Sequence, residues 1–388
     1  MNLVQPLLRF FTRPVSRAIG LVFIADGLFY GSWSALIPYV KDKFSLDAAQ
    51  LGLLLFCLPL GVTASNPLAA VLIRRYSLRY ATLGSLGMAS FCFLLPIIAP
   101  SVMWTAASLI FCGVFFSILN NTMNTCATVY EEQEHTRILS TCHGMWSFGA
   151  MMGSALAGML TGLGMLPAVY MTLMLLLVAG IGLFASQPLA QIIEPDRAEG
   201  QGSATFGWPT AALWGLIILS LCTNLTEGAM ADWAAVYFRE VLHTAPWLTG
   251  YGFAAYAFWM AAGRFAGDAL LTKYNNRRIL QAGGAIVTLG LLLSVLLPFT
   301  PIVLLGFALV GAGVSLGAPI LYGSASRAPG MAPGAGLGIM NTFAMAGFLA
   351  GPTAIGFIAK SYGLPIAFTL VALAASFWSW KAGTAKGL

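Results

Sequence analysis

Long apolar runs, each close to the length that crosses a bilayer, alternate along the chain with short polar breaks. A spanning helix needs about 20 mostly apolar residues, and such runs occupy 17–41, 47–73, 79–99, 101–130, 138–163 and 165–187. A second set occupies 209–238, 246–272, 277–298, 300–325, 333–360 and 363–383. Between the sets lies the longest polar stretch, where Glu194, Pro195, Asp196, Arg197 and Glu199 sit among glycines. The pattern predicts an all-α membrane protein with twelve transmembrane helices. It divides into an N-terminal six-helix bundle over 1–187, a cytoplasmic linker over 188–208 and a C-terminal six-helix bundle over 209–388. The first run continues through Asp26 and Trp33 with no small-residue cleavage site, so it reads as a first span and not as a secretion signal.

Composition supports a bilayer environment. Of the 388 residues, 59% are hydrophobic and 8% charged, against about 25% charged in soluble domains. The 43 glycines suit helices that must approach closely in lipid. The net charge of +6 comes with no basic patch interleaved with aromatics, so no nucleic-acid partner is expected. The charge instead reports orientation. Fourteen Lys and Arg, among them Arg9, Arg13, Arg17, Arg75, Arg277 and Lys381, fall at the termini and in alternate loops; the opposite loops hold only Lys41, Lys43, Arg239 and Lys360. Positive loops stay inside, which places both termini and the linker in the cytoplasm of a bacterial inner membrane. The six cysteines lie in apolar runs without a CxxC pair and read as small packing residues. Neither cofactor nor metal is expected. No phosphate loop, nucleophile elbow or zinc motif appears, and there are three histidines, so an enzyme is not expected either.

The two sets of runs align. At an offset of 198 residues Gly52 falls on Gly250, Tyr76 on Tyr274, Arg79 on Arg277, Gly113 on Gly311, Ser117 on Ser315 and Lys41 on Arg239. At an offset of 195, Met145-Trp146-Ser147-Phe148 meets Met340-Asn341-Thr342-Phe343. The two sets of matches read as a duplicated six-helix unit, a parallel repeat of the kind known in membrane transporters that bind solute between their halves.

Four stretches carry a family resemblance over nearly the whole chain: Ala35-Leu36-Ile37-Pro38, Cys142-His143-Gly144-Met145-Trp146-Ser147-Phe148-Gly149, Glu227-Gly228-Ala229-Met230-Ala231-Asp232-Trp233, and Gly311-Ala312-Gly313-Val314-Ser315-Leu316-Gly317-Ala318-Pro319. The sequence resembles the major facilitator superfamily and, within it, the fucose-permease-like sugar transporters and a bacterial inner-membrane branch of that group. The resemblance implies a monomeric secondary transporter for a small-molecule solute. The superfamily's cytoplasmic loop motif survives as Gly263, Arg264, Gly267, Asp268, Lys273, Arg277 and Arg278, while its counterpart after the second run has Asn66 and Ala70 at the Arg264 and Asp268 positions. The resemblance thus implies a one-sided latch through Arg264 and Asp268; the plain alternative is a weak i,i+4 ion pair. The carboxylates that the sugar permeases carry late in helix 1 and in helix 4 are here Ser34 and Asn120, so proton coupling does not transfer at those places.

Ionisable side chains at bilayer depth usually face a cavity or a partner. Asp26, Glu227 and Asp232 sit inside apolar runs, and His143, whose type titrates near neutrality, opens the fifth run. These four are the proton-coupling candidates. Glu227 is expected to face the cavity and Asp232, about 140° further around the helix, to face a neighbour. Asn120, Asn121 and Asn124 offer amide donors and acceptors suited to a neutral polar solute, or else bond between helices. Asn224 lies one helical turn before Glu227, and Asn341 lies in the eleventh run. Tyr30 follows Asp26 by four residues and Trp146 follows His143 by three, placing rings where they could stack on a sugar or simply pack. The leading expectation is proton-coupled transport of a sugar or sugar derivative by alternating access. Proton-driven efflux of amphipathic drug-like compounds and a non-transporting membrane receptor are the alternatives.

Overall fold

The computed structural model describes residues 4–193, 208–328, 331, 335–385 and 388. All twelve apolar runs appear as helical segments. A short helix the run pattern does not predict, α1 (Val4–Thr12), precedes the first span, α2 (Pro14–Lys43). Phe10 of α1 tucks against the α2 backbone at Gly20, where a Cβ would collide with its ring. Pro14 then restarts the helix at a position where its missing N–H costs nothing. The second span is α3 (Ala48–Leu55) with α4 (Cys57–Arg75), followed by α5 (Leu78–Ile98), α6 (Val102–Glu134), α7 (Leu139–Gly162) and α8 (Pro167–Leu189). The other half contains α9 (Ala211–Glu240), α10 (Tyr251–Phe265) with α11 (Gly267–Lys273), α12 (Asn276–Leu296), α13 (Thr300–Val314) with α14 (Gly317–Ala325), α15 (Ala335–Tyr362) and α16 (Leu364–Thr384). Most of the expected linker lies outside the described residues.

Two of the interruptions inside spans have a proline cause. Proline has no N–H for the carbonyl four residues earlier and crowds it. Pro59 stands four after Leu55, where α3 stops, and Pro319 stands four after Ser315, just past the end of α13. The break at Ala266 has no proline; it falls just before Gly267.

The repeat is visible as matched contacts. Gly113 brings α6 so close to α4 that a Cβ would overlap the Leu58 carbonyl oxygen, and Gly311 does the same for α13 against the Tyr256 carbonyl of α10. Ser77 caps α5 and Asn275, offset by 198, caps α12. Arg79 donates to Ser186 Oγ at 2.6 Å near the end of α8, and its partner in the repeat, Arg277, donates to the Ala385 carbonyl at 3.1 Å just past α16.

Among the described residues ten segments are long and apolar enough to cross a membrane by themselves. The two that fall short, α7 and α10–α11, pack on each other across the bundle interface. They are rich in Gly and Ala, and protein neighbours replace much of the lipid contact that demands large apolar side chains.

Candidate functional site

The bundles meet chiefly where α2 packs on α9, α3 on α15, and α7 on α10. Ser34 Oγ donates to the Ala231 carbonyl across the first, Thr353 Oγ1 to the Gly52 carbonyl at 3.4 Å across the second, and Ser154 Oγ to the Gly250 carbonyl at 2.7 Å beside the third. Ser34 therefore ties the two bundles together.

One end of this interface is also closed by charge. Lys41 pairs with Glu240, Arg239 with Asp42 at 3.5 Å, and Lys360 with Asp47 at 2.9 Å, each pair joining one bundle to the other. The first two are reciprocal. Lys41 and Arg239 are repeat partners, and the same offset carries Asp42 onto Glu240, so each half gives the other half's equivalent pair its counter-charge. Asp47 also caps α3, and its carboxyl is held below its ordinary value, first by the Gln50 backbone N–H and then by Lys360. At the opposite end the Arg13–Glu134 pair stays within one bundle, and no ion pair among the described residues joins the two.

Between the bundles lies a cavity of about 370 Å³, within the range of small-molecule sites. From the N-terminal half it is lined by Tyr30 and Trp33 of α2, by the Leu55–Val62 corner around the Pro59 break, and by Phe116, Asn120 and Asn121 of α6. From the other half come Asn224, Gly228 and Asp232 of α9, Tyr322 of α14, and Asn341, Met345 and Phe348 of α15. Thus Tyr30, Asn120, Asn121, Asn224, Asn341 and Asp232, dispersed in sequence, share one wall-to-wall space.

The acids do not sit as the sequence suggests. Asp232, expected to face a neighbouring helix, lines the cavity; Glu227, expected to face it, does not. The reason is helical phase. Asn224, Gly228 and Asp232 advance by four residues, drifting only about 40° per step, whereas Glu227 lies about 60° to the other side of Asn224. Glu227 is instead within electrostatic range of Arg264 and has no ion pair within contact distance among the described residues.

Asp26 is fully buried behind Tyr30. Trp146 Nε1 donates to its Oδ2 at 2.8 Å, while Oδ1 has no hydrogen-bond partner. Trp146 thus serves Asp26, and its ring lies 5.5 Å from that of Tyr30, which stacks on Phe116 at 5.3 Å. Asn124 lies outside the lining; its Nδ2 donates to the Asn120 carbonyl at 2.7 Å and to Asn120 Oδ1 at 3.2 Å, fixing the amide that does line it. Asn121 donates to the Ser117 carbonyl at 2.9 Å and Asn224 to the Ala344 carbonyl at 3.3 Å. His143 packs edge-on against Phe23.

Arg264 has a place that a latch along its own helix does not describe. It is 8% exposed, and its Nη1 crosses to α7, donating to Ser147 Oγ at 2.7 Å and to the His143 carbonyl at 3.3 Å. Ser140 of α7 in turn donates to the Arg264 carbonyl at 3.0 Å. The side chain of Asp268 lies outside the described residues. Sequence reasoning passed over the apolar lining, although Phe116 precedes Asn120 by one turn and Met345 and Phe348 follow Asn341 at i+4 and i+7, the spacing of one helix face.

Comparisons with known proteins bear on the family and the fold. The Major Facilitator Superfamily profile matches residues 18–336. An uncharacterised MFS-type transporter of Yersinia pestis is 31% identical over 361 residues, covering 91% of this chain and 91% of that one. Among solved structures, a bacterial homolog of the human lysosomal transporter Spinster superposes with a TM-score of 0.72 at 14% identity, over 95% of this chain and 96% of that one. The Escherichia coli fucose:proton symporter FucP gives 0.66 at 15% identity, over 96% and 98%. The structural likenesses are likenesses of fold; the profile and the relative fix the family. The chain is a multi-pass membrane protein belonging to the major facilitator superfamily.

Proposed function

We propose that the protein is a proton-coupled secondary transporter that moves a small polar organic solute, a sugar or sugar derivative, by alternating access across a bacterial inner membrane. The observation that carries this reading is the cavity between the two bundles, where amides from both halves meet aromatic rings. The rings suit the apolar faces of a sugar, and the amides suit its hydroxyls in either hydrogen-bonding sense. The fold likeness to a fucose:proton symporter adds support.

The Lys- and Arg-rich end is taken as cytoplasmic, with the 188–208 linker joining the two bundles there. The ion-paired end is then periplasmic, and the conformation is closed outward. In this reading Glu227 is the coupling residue. A charged carboxylate at bilayer depth costs about 2.5 kcal/mol or more unless it is paired or hydrated. Arg264 is its nearest source of pairing and is bound to α7 in this conformation. A bundle movement that alters the Arg264 contact to α7 changes what Glu227 meets, and that difference links a proton to a conformation. Asp26, His143 and Asp232 are the other protonatable groups near the path, and Arg264 with Asp268 governs the conformational balance.

The test is uptake by purified protein in liposomes. The parent should accumulate its solute against a gradient when an inward proton gradient is imposed. Glu227→Gln should fold and exchange solute across the membrane but lose uphill accumulation. A Gln variant that concentrates solute like the parent would pass the coupling role to Asp26. Accumulation of apolar dyes with no sugar movement would favour efflux of amphipathic compounds.

A further inference from the structure

Asp232 is the one charged side chain lining the cavity among the described residues; no Lys, Arg or His joins it there. It has no ion pair among those residues. Two further carboxyl groups lie nearby. Tyr30, on the facing wall, is within electrostatic range of Asp232, Glu227 and Asp26 together. Among the described residues the buried cation Arg264 is engaged with α7 and is within electrostatic range of Glu227 without pairing with it. The cavity is also lined by the aromatic side chains of Tyr30, Trp33, Phe116 and Phe348.

A neutral solute would satisfy the asparagines but force Asp232 either to take up a proton or to stay desolvated without a counter-charge. An anion would add repulsion. A positive group answers both features, since a carboxylate and aromatic faces are the two chemistries that hold an ammonium. The geometry points to a solute that is a hydroxylated amine: a small organic cation whose ammonium sits between Asp232 and the ring faces, with its hydroxyls on Asn120, Asn121 and Asn341. This deepens the transporter reading and rests on it, because it assigns the solute class of the same cavity.

Binding is measured on the purified full-length protein as ligand-induced thermal stabilisation, with uptake into liposomes as a separate readout. The probes are glucosamine and choline as cations, and glucose and N-acetylglucosamine as neutral counterparts, at a pH where the amines are charged. Glucosamine and choline should stabilise the protein, and the neutral pair should do so weakly or not at all. Asp232→Asn should weaken amine binding by at least about thirtyfold, the size expected when one side of a buried charge pair is removed. Asp232→Glu, which keeps the charge, should retain the preference for amines, and unliganded melting shows whether each variant folds. Equal stabilisation by the neutral probes, amine binding that survives Asp232→Asn, or no stabilisation by either amine overturns the assignment. Amine binding that depends on Asp232 without any uptake would leave the cation site standing and sink the transporter reading. Uptake of neutral sugars with no amine preference would do the reverse.

Discussion

Neutralising both reciprocal pairs of the closed end, with Asp42→Asn and Glu240→Gln together, should open that end by an amount the structure lets one work out. The Lys41–Glu240 side chains are 15% and 36% exposed, and the Arg239–Asp42 side chains 41% and 56%. Pairs this accessible are screened, and each contributes about 0.5 kcal/mol. Because both pairs join one bundle to the other, their stabilisation is present when the end is closed and lost when the bundles part. Removing the two costs the closed form about 1 kcal/mol, which raises the ratio of open to closed about fivefold. Spin labels at Met103 and Phe299, exposed residues at this end on opposite bundles, would read the change as growth of a longer-distance population. Raised ionic strength should mimic the double variant. Glu134→Gln, which breaks a pair inside one bundle at the other end, should leave the distances alone. Distances indifferent to the double neutralisation, or moved equally by Glu134→Gln, would refute the clasp.

Three further outcomes are expected. Reporter fusions after Arg239 and after Lys360 should report the periplasm, and one within 188–208 the cytoplasm; a periplasmic linker would overturn the orientation. Asp47 has a lowered pKa, held first by the Gln50 backbone N–H within its own bundle and then by Lys360 of the other; the Lys360 part supports closure, is complete above Asp47's ordinary titration range and fades as pH falls through the lowered one. In the Asp42→Asn, Glu240→Gln background, acidification into that range should still increase the opening read by the same spin labels, and adding Asp47→Asn should remove that remaining response. Asp268→Asn should slow transport while leaving solute affinity, read by equilibrium binding, within a few fold; complete loss of binding by a folded variant would put Asp268 in the site instead.

Much of the architecture was legible because the bilayer makes it so. Every backbone polar group must be satisfied within a span, so apolar run length alone delimits the helices, and all twelve runs appear as helical segments. The repeat was legible too, because Gly113 and Gly311 stand at crossings where any side chain would overlap a carbonyl. The breaks at Leu55 and Ser315 had their prolines in plain sight, yet membrane helices often tolerate proline, as α2 does at Pro38. The site was harder to read. Assigning Glu227 to the cavity relied on its shared face with Asn224, but a 60° difference is enough to pass from lining to flank in a helix packed on several sides. The reciprocal ion pairs were present in the sequence as an aligned Lys41-Asp42 and Arg239-Glu240. Alignment says which residues are equivalent and not that equivalents meet; only the pseudo-two-fold axis brings them together.

The cavity keeps a carboxyl group although its N-terminal wall offers amides and rings. The Ser34 hydroxyl is spent on the Ala231 carbonyl, next to Asp232 on the facing helix. Asn120 is held by Asn124 and keeps a neutral amide in the lining. The lining carboxyl group stands on the opposite bundle, on α9, which also carries Glu227. Asp26 of the N-terminal half is buried and bound by Trp146, whose ring packs near Tyr30. In the proposed cycle this separates two tasks along one helix. Asp232 meets whatever occupies the cavity, and Glu227, five residues earlier and about 140° around the helix, is within electrostatic range of Arg264, which bonds to α7. Any shift of α9 against α2 then disturbs the Ser34–Ala231 bond, the lining carboxylate and the coupling carboxylate together.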